Sequence, residues 1–394
     1  MPEGAAMHNK FNKVSIAVAI ASTALIASQV AASGFQVREQ SAKTLANALS
    51  NAAAGAEDAS FMAYNPAAIG NIDGNQVVGG LAYIDANFEL RDESSSSVFG
   101  VPYGSDASSQ GGESAWVPAF AAKTQLNEQF DLGLAIYAPY GLSTKYDNDW
   151  IGRYHAIETE LTTVDFQPTL NYRASDRLNL AVGLRAQYAD ATLSNAIDFG
   201  TAAAMQEVPG ARPGQDDVIG TVEGDDWGYG YTLGALFQVT DQTRLGASYR
   251  SEIDLTLEGD ASFRGTTAFS DAAVAGEMDP RIVDRGGKAE LTSPASLNLG
   301  VYHQLTDRLA LMANAEWTEW SSFDELVVEF EDGSSSPTTE NWDDTWAFSV
   351  GAVSLKTKQW LLRAGLGVDE SPVPSAEYRT PRVPDADRQW ATLG

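Results

Sequence analysis

Leu178, Leu180, Val182, Leu184, Ala186 and Tyr188 share one face of an extended segment, and Asn179, Ala181, Gly183, Arg185 and Gln187 share the other, because side chains alternate along a strand. The segment 227–239 has the same pattern. Trp227, Tyr229, Tyr231, Leu233, Ala235, Phe237 and Val239 oppose Gly228, Gly230, Thr232, Gly234 and Gln238. One face is apolar and aromatic; the other is small or polar. Such alternation predicts strands near residues 76–90, 114–125, 129–138, 158–174, 178–193, 227–239, 244–260, 288–304, 308–319 (and on toward 330), 345–356 and 359–369, with a twelfth starting near 387. A weak repeat ties them together: QLNEQFDLGLAIY, NYRASDRLNLAVGL, FQVTDQTRLGASY, YHQLTDRLALMANAEW and LKTKQWLLRAGL each read as a tight hairpin.

The connections alternate in length. Tight turns fall at Asn127-Glu128, Ser175-Asp176, Thr240 to Thr243, Thr306-Asp307 and Thr357-Lys358, whereas 91–113, 139–157, 194–226, 261–287, 331–344 and 370–386 are long, acidic and rich in Ser and Gly. Hairpins of one parity being short and the other long is expected when the two ends of a barrel face different compartments. A soluble β-protein is the alternative, but it has no reason to keep its long loops at one end, and these strands exceed the usual length while meeting the roughly 9 to 11 residues that cross a bilayer. The expected fold is all-β, a transmembrane antiparallel β-barrel over residues 76–394. The slightly negative mean hydropathy fits a wall whose inner face and loops are polar. No segment has 18 consecutive apolar residues, so no membrane helix is predicted. The sequence stops at RQWATLG, early in the twelfth strand, which reads as a fragment of a closed, even-stranded wall.

The formal charge of −28 on 394 residues argues against a nucleic-acid partner, and the absence of cysteine rules out disulfides and Cys-based metal sites. Lys10 and Lys13 precede an apolar run from Val14 to Ala27, and Val30-Ala31-Ala32 suits a signal peptidase. Residues 1–32 are therefore expected to be a cleaved secretory signal, with either Met1 or Met7 as initiator and the mature chain starting at about Ser33. Residues 33–75 are not strand-like. Their Ala-rich sequence predicts a helix over about 39–53 and fits a plug, or hatch, inside the barrel. Near its end stands Asn65-Pro66-Ala67. Proline fixes its own φ, restrains the residue before it and can start a short helix, while the Asn side chain can cap backbone. The corner reads either as a pin for the end of the plug or as an ordinary capping turn.

SGFQVREQSAKTLANALSNAAAGAEDASFMAYNPAAIG resembles the N-terminal hatch of the FadL family of outer-membrane channels for long-chain fatty acids and hydrocarbons. Further matches follow in order: AWVPAF, APYGLSTKYD, WGYGYTLGALF, YRSEIDLTLEGD, EWTEWSSFDEL and DESPVPSAEYRTPRVPDADRQW. The resemblance implies a 14-stranded barrel plugged by a hatch, of which about eleven and a half strands are present here. It also implies a route in which ligand is gathered by the extracellular loops, held against the hatch, and released sideways at a kink in the third strand. Pro139-Tyr140-Gly141 interrupts the alternation of that strand, since Pro cannot donate to a ladder and Gly tolerates a bend. Without the resemblance, the same residues could mark the strand's end. Apolar side chains in the acidic loops, Ile197, Phe199, Met205, Val208, Phe263 and Phe269, together with Phe61 of the hatch, are candidate ligand contacts, with packing of the loops as the alternative role. Where fatty acid transporting members place basic residues, gapless local alignment puts Asn195 and Val327, with Arg185 or another inward base as a substitute. This departure predicts that neutral hydrophobes bind at least as well as fatty acids.

The expected partners are hydrophobic small molecules, outer-membrane lipid and lipopolysaccharide, with the acidic loops holding divalent cations between its phosphates and the chain acting as a monomer. No cofactor or metal site is expected. His8 lies in the signal, His155 in a long loop and His303 beside a tight turn, and no GxSxG occurs, so neither a nucleophile–base pair nor metal spacing is present. A general diffusion porin is the alternative function; it needs a wide, unplugged lumen.

Overall fold

In the segments 178–188 and 227–239 the polar or small face is buried and the apolar face exposed, the reverse of a soluble sheet. In a computed structural model describing residues 34–91, 96–101, 103, 108–276, 278–355 and 360–394, Leu180, Val182 and Leu184 are exposed while Asn179, Arg185 and Gln187 are buried. Trp227, Tyr229, Tyr231 and Leu233 likewise face outward. An outer surface of this kind is stable against hydrocarbon. The expected signal, its cleavage point at Ser33 and the Thr357-Lys358 turn lie outside the described residues.

The wall begins with β1 (Gln76–Asp85), followed by a small ribbon of β2 (Glu89–Arg91) and β3 (Ser108–Gln110), and then β4 (Ser114–Gln125), which pairs antiparallel with β1. Next come β5 (Phe130–Tyr137) and β6 (Gly141–Lys145), both paired with β7 (Glu158–Ser175), which pairs in turn with β8 (Leu178–Ile197) and β8 with β9 (Val218–Thr240). β10 (Thr243–Arg250) and β11 (Ile253–Gly265) lie along β9. β12 (Arg285–Ser293) pairs with β11 and β13 (Ser296–Thr306) with β10. β14 (Leu309–Thr318) pairs with β13, and β15 (Glu325–Phe330) with both β12 and β16 (Ser335–Thr339). The meander ends through β17 (Thr345–Leu355), β18 (Leu361–Asp369) and β19 (Arg388–Leu393). No helix among the described residues is long and apolar enough to cross a membrane.

Three expectations need correction. The strands expected over 244–260 and 288–304 are each broken in two, at Ser251-Glu252 and at Pro294-Ala295. Ser251 turns its carbonyl to Arg185 Nη1 at 3.0 Å and Pro294 gives its carbonyl to Tyr140 Oη at 3.0 Å, so lumen side chains take groups that a straight ladder would use. The strand expected from 308 toward 330 is interrupted by a 3₁₀ turn, Trp320–Ser322. The helix expected over 39–53 is reduced to Ala42–Leu45. Ala48 and Leu49 take positive φ, 48° and 65°, a conformation costly for non-glycine residues, so the segment runs on as successive turns that also bond to the wall. Asn47 Nδ2 donates to Ala352 O at 3.0 Å, and Ala53 N to Asn314 Oδ1 at 3.1 Å.

The hatch fills the inside of the wall. Its far end is clamped by a buried charge cluster: Lys123 Nζ pairs with Asp131 at 2.9 Å, Arg173 Nη2 reaches the same carboxylate at 3.0 Å, and Arg173 Nε donates to Gly70 O at 2.8 Å. Higher up, Ser248, Arg250 and Gln167 donate to the carbonyls of Tyr64, Ala63 and Met62. Polar wall residues thus supply the hydrogen bonds that an irregular, buried backbone requires.

Candidate functional site

The corner at Asn65 is built from its own residues. Asn65 is extended (φ −139°), Pro66 opens a 3₁₀ turn, Pro66–Asn71, and Asn65 Oδ1 accepts from Ala67 N at 3.0 Å. Its Nδ2 donates to Ala53 O at 2.6 Å and to Ala235 O of the wall at 3.2 Å. The capping turn and the pin are therefore one device. Phe61, fully buried, packs with Ala67, Ala68, Ala181 and Leu236, so it lies in the contact between hatch and wall.

The interruption at Pro139-Tyr140-Gly141 separates two stretches that both pair with β7. Tyr137 lies opposite Asp165 and Gly141 opposite Thr162, so residues 138–140 face only Thr163 and Val164. One extra residue makes a bulge and turns the strand. Its backbone is taken by the start of the hatch: Val37 N donates to Pro139 O at 2.9 Å and Gly141 N to Phe35 O at 2.8 Å. Tyr140 is buried, with its N–H donating to Thr163 Oγ1 at 3.0 Å.

A gap in the wall results. Among the described residues, β4 pairs with β5 from Phe120 to Gln125, while Ser114 to Ala119 have β1 alone as a strand partner. Beyond the gap the edges meet again at an isolated bridge between Gly112 and Thr144. Behind it lies a cavity of about 500 Å³, lined by Val37, Ile84, Trp116, Phe120, Leu142 and Leu161, with Arg38 and Arg388 at its polar end. That volume is within the range of small-ligand sites. Arg38 is held by Asp369 at 3.2 Å, and Arg388 by Asp369 and Asp385, both at 3.1 Å.

Inward of the cavity, Tyr140 joins a buried aromatic cluster. Phe35 stands at its centre, 4.8 Å from Trp320, 5.3 Å from Phe323 and 5.7 Å from Tyr140 between ring centroids, and Trp342 lies 5.2 Å from Trp320. Sequence reasoning singled out none of Phe35, Trp320, Phe323 or Trp342, although SGFQ and EWTEWSSFDEL carried the family resemblance. Lone aromatics separated by hundreds of residues give no local period to read.

The loop candidates divide. Ile197, Phe199, Phe263 and Phe269 come together in one apolar cluster between two short helices, Phe199–Met205 and Ala268–Ala275. Asp216 ties these helices' loops by accepting from Thr267 Oγ1 at 2.8 Å and Arg212 Nη2 at 2.6 Å. Met205 and Val208 stand outside that cluster, 68% and 41% exposed. Arg185 is paired with Asp165 at 2.7 Å, both side chains fully buried, so its charge is already neutralised. Val327 pairs with Pro337 in the β15–β16 ribbon. Asn195, however, accepts from Arg382 Nη2 at 3.1 Å. A base from the loop after β18 thus reaches the position where the sequence had a neutral side chain. Burial lowers the Arg382 guanidinium to about 10 despite nearby Glu340, and burial lifts the Glu340 carboxyl to about 7. Among the described residues no group of three or more His, Cys, Asp or Glu is placed to hold a metal.

A family model described as "Outer membrane protein transport protein (OMPP1/FadL/TodX)" matches residues 23–394. The chain belongs to that family. It is 28% identical to a long-chain fatty acid transport protein of Escherichia coli (strain CFT073), over 98% of this chain and 87% of that protein. It is 30% identical to a 47 kDa outer membrane protein of Pasteurella multocida, over 98% and 88% respectively. The crystal structure of a FadL homologue from Pseudomonas aeruginosa superposes with a TM-score of 0.82 at 27% identity, covering 91% of this chain and 86% of that one. The β-barrel class, the family and the outer-membrane setting expected from the sequence agree with these findings.

Proposed function

We propose that this protein is a channel for hydrophobic compounds, either long-chain fatty acids or hydrocarbons, that takes them through the outer membrane by a sideways path. Ligand is gathered among the acidic loops and passes to the aromatic cluster around Phe35. It then leaves through the gap between β4 and β6 without crossing the hatch. The observation that supports this reading is the bulge at residues 138–140, which leaves Ser114 to Ala119 without a second strand partner among the described residues, beside an apolar cavity. A hydrophobe gains by this path, since a polar lumen would cost it the burial that hydrocarbon provides.

In this reading Asn65, Pro66 and Ala67 hold the hatch, Pro139, Tyr140 and Gly141 shape the exit, and Met205 and Val208 meet ligand at the loops. Residues 1–32 act as the export signal, 33–75 as the hatch and 76–394 as the wall. The chain works as a monomer without cofactor or catalytic step, its acidic loops bridged to lipopolysaccharide by divalent cations.

The test is uptake of labelled oleate and dodecane by cells whose own carrier is deleted and which express the full-length protein. Accumulation of either compound, with no steady ionic conductance from the purified protein in planar bilayers, supports the reading. A large, steady pore with no hydrophobe uptake would replace it with the porin.

A further inference from the structure

The pairing of β4 with β5 stops at a particular residue. In the turn that joins them Leu126 N donates to Phe130 O at 2.9 Å, and the register then runs from Gln125 opposite Asp131 to Phe120 opposite Ile136. An antiparallel pair exchanges hydrogen bonds at every second position, so the even-numbered residues of β4 turn their N–H and C=O groups toward β5 and the odd-numbered ones toward β1. The other side of β5 agrees: just before that strand, odd-numbered Gln129 gives its carbonyl to Arg173 N of β7 at 2.8 Å. The next bond after Phe120 would run from the N–H of residue 118 to Ala138 O. Residue 118 is proline, which has no N–H.

The missing donor leaves the other side of β4 intact. Pairing with β1 continues through Leu81 opposite Pro118 to Asp85 opposite Ser114, as expected where proline turns its empty position to a strand edge. Ala138 O is not left bare. Buried Gln40 of the hatch donates to it from Nε2 at 3.1 Å. The hatch then takes the rest of the edge, with Val37 N donating to Pro139 O at 2.9 Å and Gly141 N to Phe35 O at 2.8 Å, so that Gln36 and Tyr140 form an antiparallel bridge. Past the bulge the bonding positions shift to odd numbers, and Lys145 N donates to Gly111 O at 2.9 Å where the wall edges meet again. The bulge accounts for the far part of the gap, and Pro118 for where the gap begins.

We propose that Pro118 is a positioning residue of the exit: it ends the β4–β5 ladder at Phe120 and passes the edge at Ala138 to Gln40 of the hatch, so that the gap cannot zip shut from the β5 side. This rests on the transport reading above, with the gap as the exit, and names the residue that keeps the gap open. A backbone group facing hydrocarbon has no water to turn to, so an N–H at position 118 would compete with Gln40 for Ala138 O. The wall would gain one bond, the gap would shorten and the start of the hatch would lose one hold. Side-chain shape predicts the opposite. Pro118 lines the cavity, and a smaller residue there widens it.

The experiment compares three full-length chains: wild type, Pro118→Ala, and one carrying lactic acid in place of Pro118, which has the methyl group of alanine on an ester oxygen without a proton. Uptake of labelled dodecane and oleate is measured in cells lacking their own carrier, at equal surface abundance, and amide exchange on the purified proteins in lipid nanodiscs. Pro118→Ala should lower uptake about two- to tenfold, the worth of one hydrogen bond, while the lactic acid chain takes up as much as wild type. The new amide at 118 should be protected from exchange, and that of Val37 should exchange faster. Uptake by Pro118→Ala equal to or above wild type, or an equal loss in the lactic acid chain, overturns the proposal. Should Pro118→Ala not reach the membrane, Gln40→Leu decides. It removes the stand-in donor and should speed exchange at Val37 and Gly141 about two- to tenfold; unchanged exchange overturns the handover from wall to hatch. Absence of hydrophobe uptake by wild type overturns the transport reading instead, and an unprotected amide at 118 in Pro118→Ala then rejects the ladder argument independently.

Discussion

Gly234 of the wall and Asn65 of the hatch touch with no room for a side chain between them: a Cβ on Gly234 would collide with Asn65 Oδ1. Asn65 spends its whole amide there, capping Ala67 and donating to Ala53 and Ala235. Asn65→Ala removes the cap, about 1 kcal/mol, and leaves the buried Ala53 carbonyl without its side-chain donor, about 1 to 3 kcal/mol more. Amide exchange across residues 53–70 should accelerate about tenfold or more, while the gel shift between unheated and boiled samples, which reports the barrel, stays. Gly234→Val should act in the same direction. Unchanged protection in both variants would show that the corner does not hold the hatch.

At the other end of the hatch, Asp369 is ion-paired with two arginines, Arg38 of the hatch and Arg388 of β19. Removing one arginine leaves the carboxylate with the other, whereas removing the carboxylate takes a partner from both, leaving Arg388 with Asp385 and Arg38 with the more distant Glu316. Asp369→Asn should therefore destabilise more than Arg38→Met, by up to about 3 to 5 kcal/mol against a smaller loss, since it weakens the pairing of two buried charges at once. Thermal unfolding of the two variants in detergent, followed by the same gel shift, gives the order. The reverse order would mean that Arg38 is held chiefly by Glu316, 3.8 Å away.

Alternation made most of the wall legible, since Leu180 to Leu184 and Trp227 to Leu233 point as their period requires. The breaks at Ser251 and Pro294 were not legible, because each depends on a partner, Arg185 or Tyr140, more than sixty residues away in sequence. The kink was visible because Pro and Gly act locally. The Asn65 corner was visible for the same reason. The helix over 39–53 was misread because Ala and Leu favour helix in isolation, whereas here Ala48 and Leu49 bend to a surface that the sequence does not display. Arg382 was missed because alignment located the position it serves, Asn195, and not the loop that supplies the charge.

The exposed apolar face makes its own prediction. Leu184 is 65% exposed on β8, with Arg185 behind it fully enclosed. If hydrocarbon is the outer solvent, Leu184→Arg should cost about 2 to 4 kcal/mol near the membrane midplane and reduce the folded fraction recovered in membranes. Leu184→Trp, which keeps an apolar surface, should not. Equal assembly of the two variants would place this face in water.

The sideways path can be blocked without touching the hatch. Ala119 lines the cavity on β4, at the edge that lacks a second partner, so Ala119→Trp should fill the gap from the wall side. Replacing Pro139-Tyr140-Gly141 with Val-Thr-Val should remove the cause of the gap, because a straight β6 could then pair with Ser114 to Ala119 as β5 pairs with the residues after them. Both variants should reach the surface in normal amount and bind ligand in purified form, since the aromatic cluster retains Phe35, Trp320, Phe323 and Trp342. Both should nevertheless lower uptake by whole cells toward the level of cells without the protein. Ligand bound but not delivered is what a blocked exit predicts, whereas passage through the hatch predicts that neither change matters. Uptake equal to wild type at equal surface abundance would therefore reject release through the wall and direct attention to movement of the hatch.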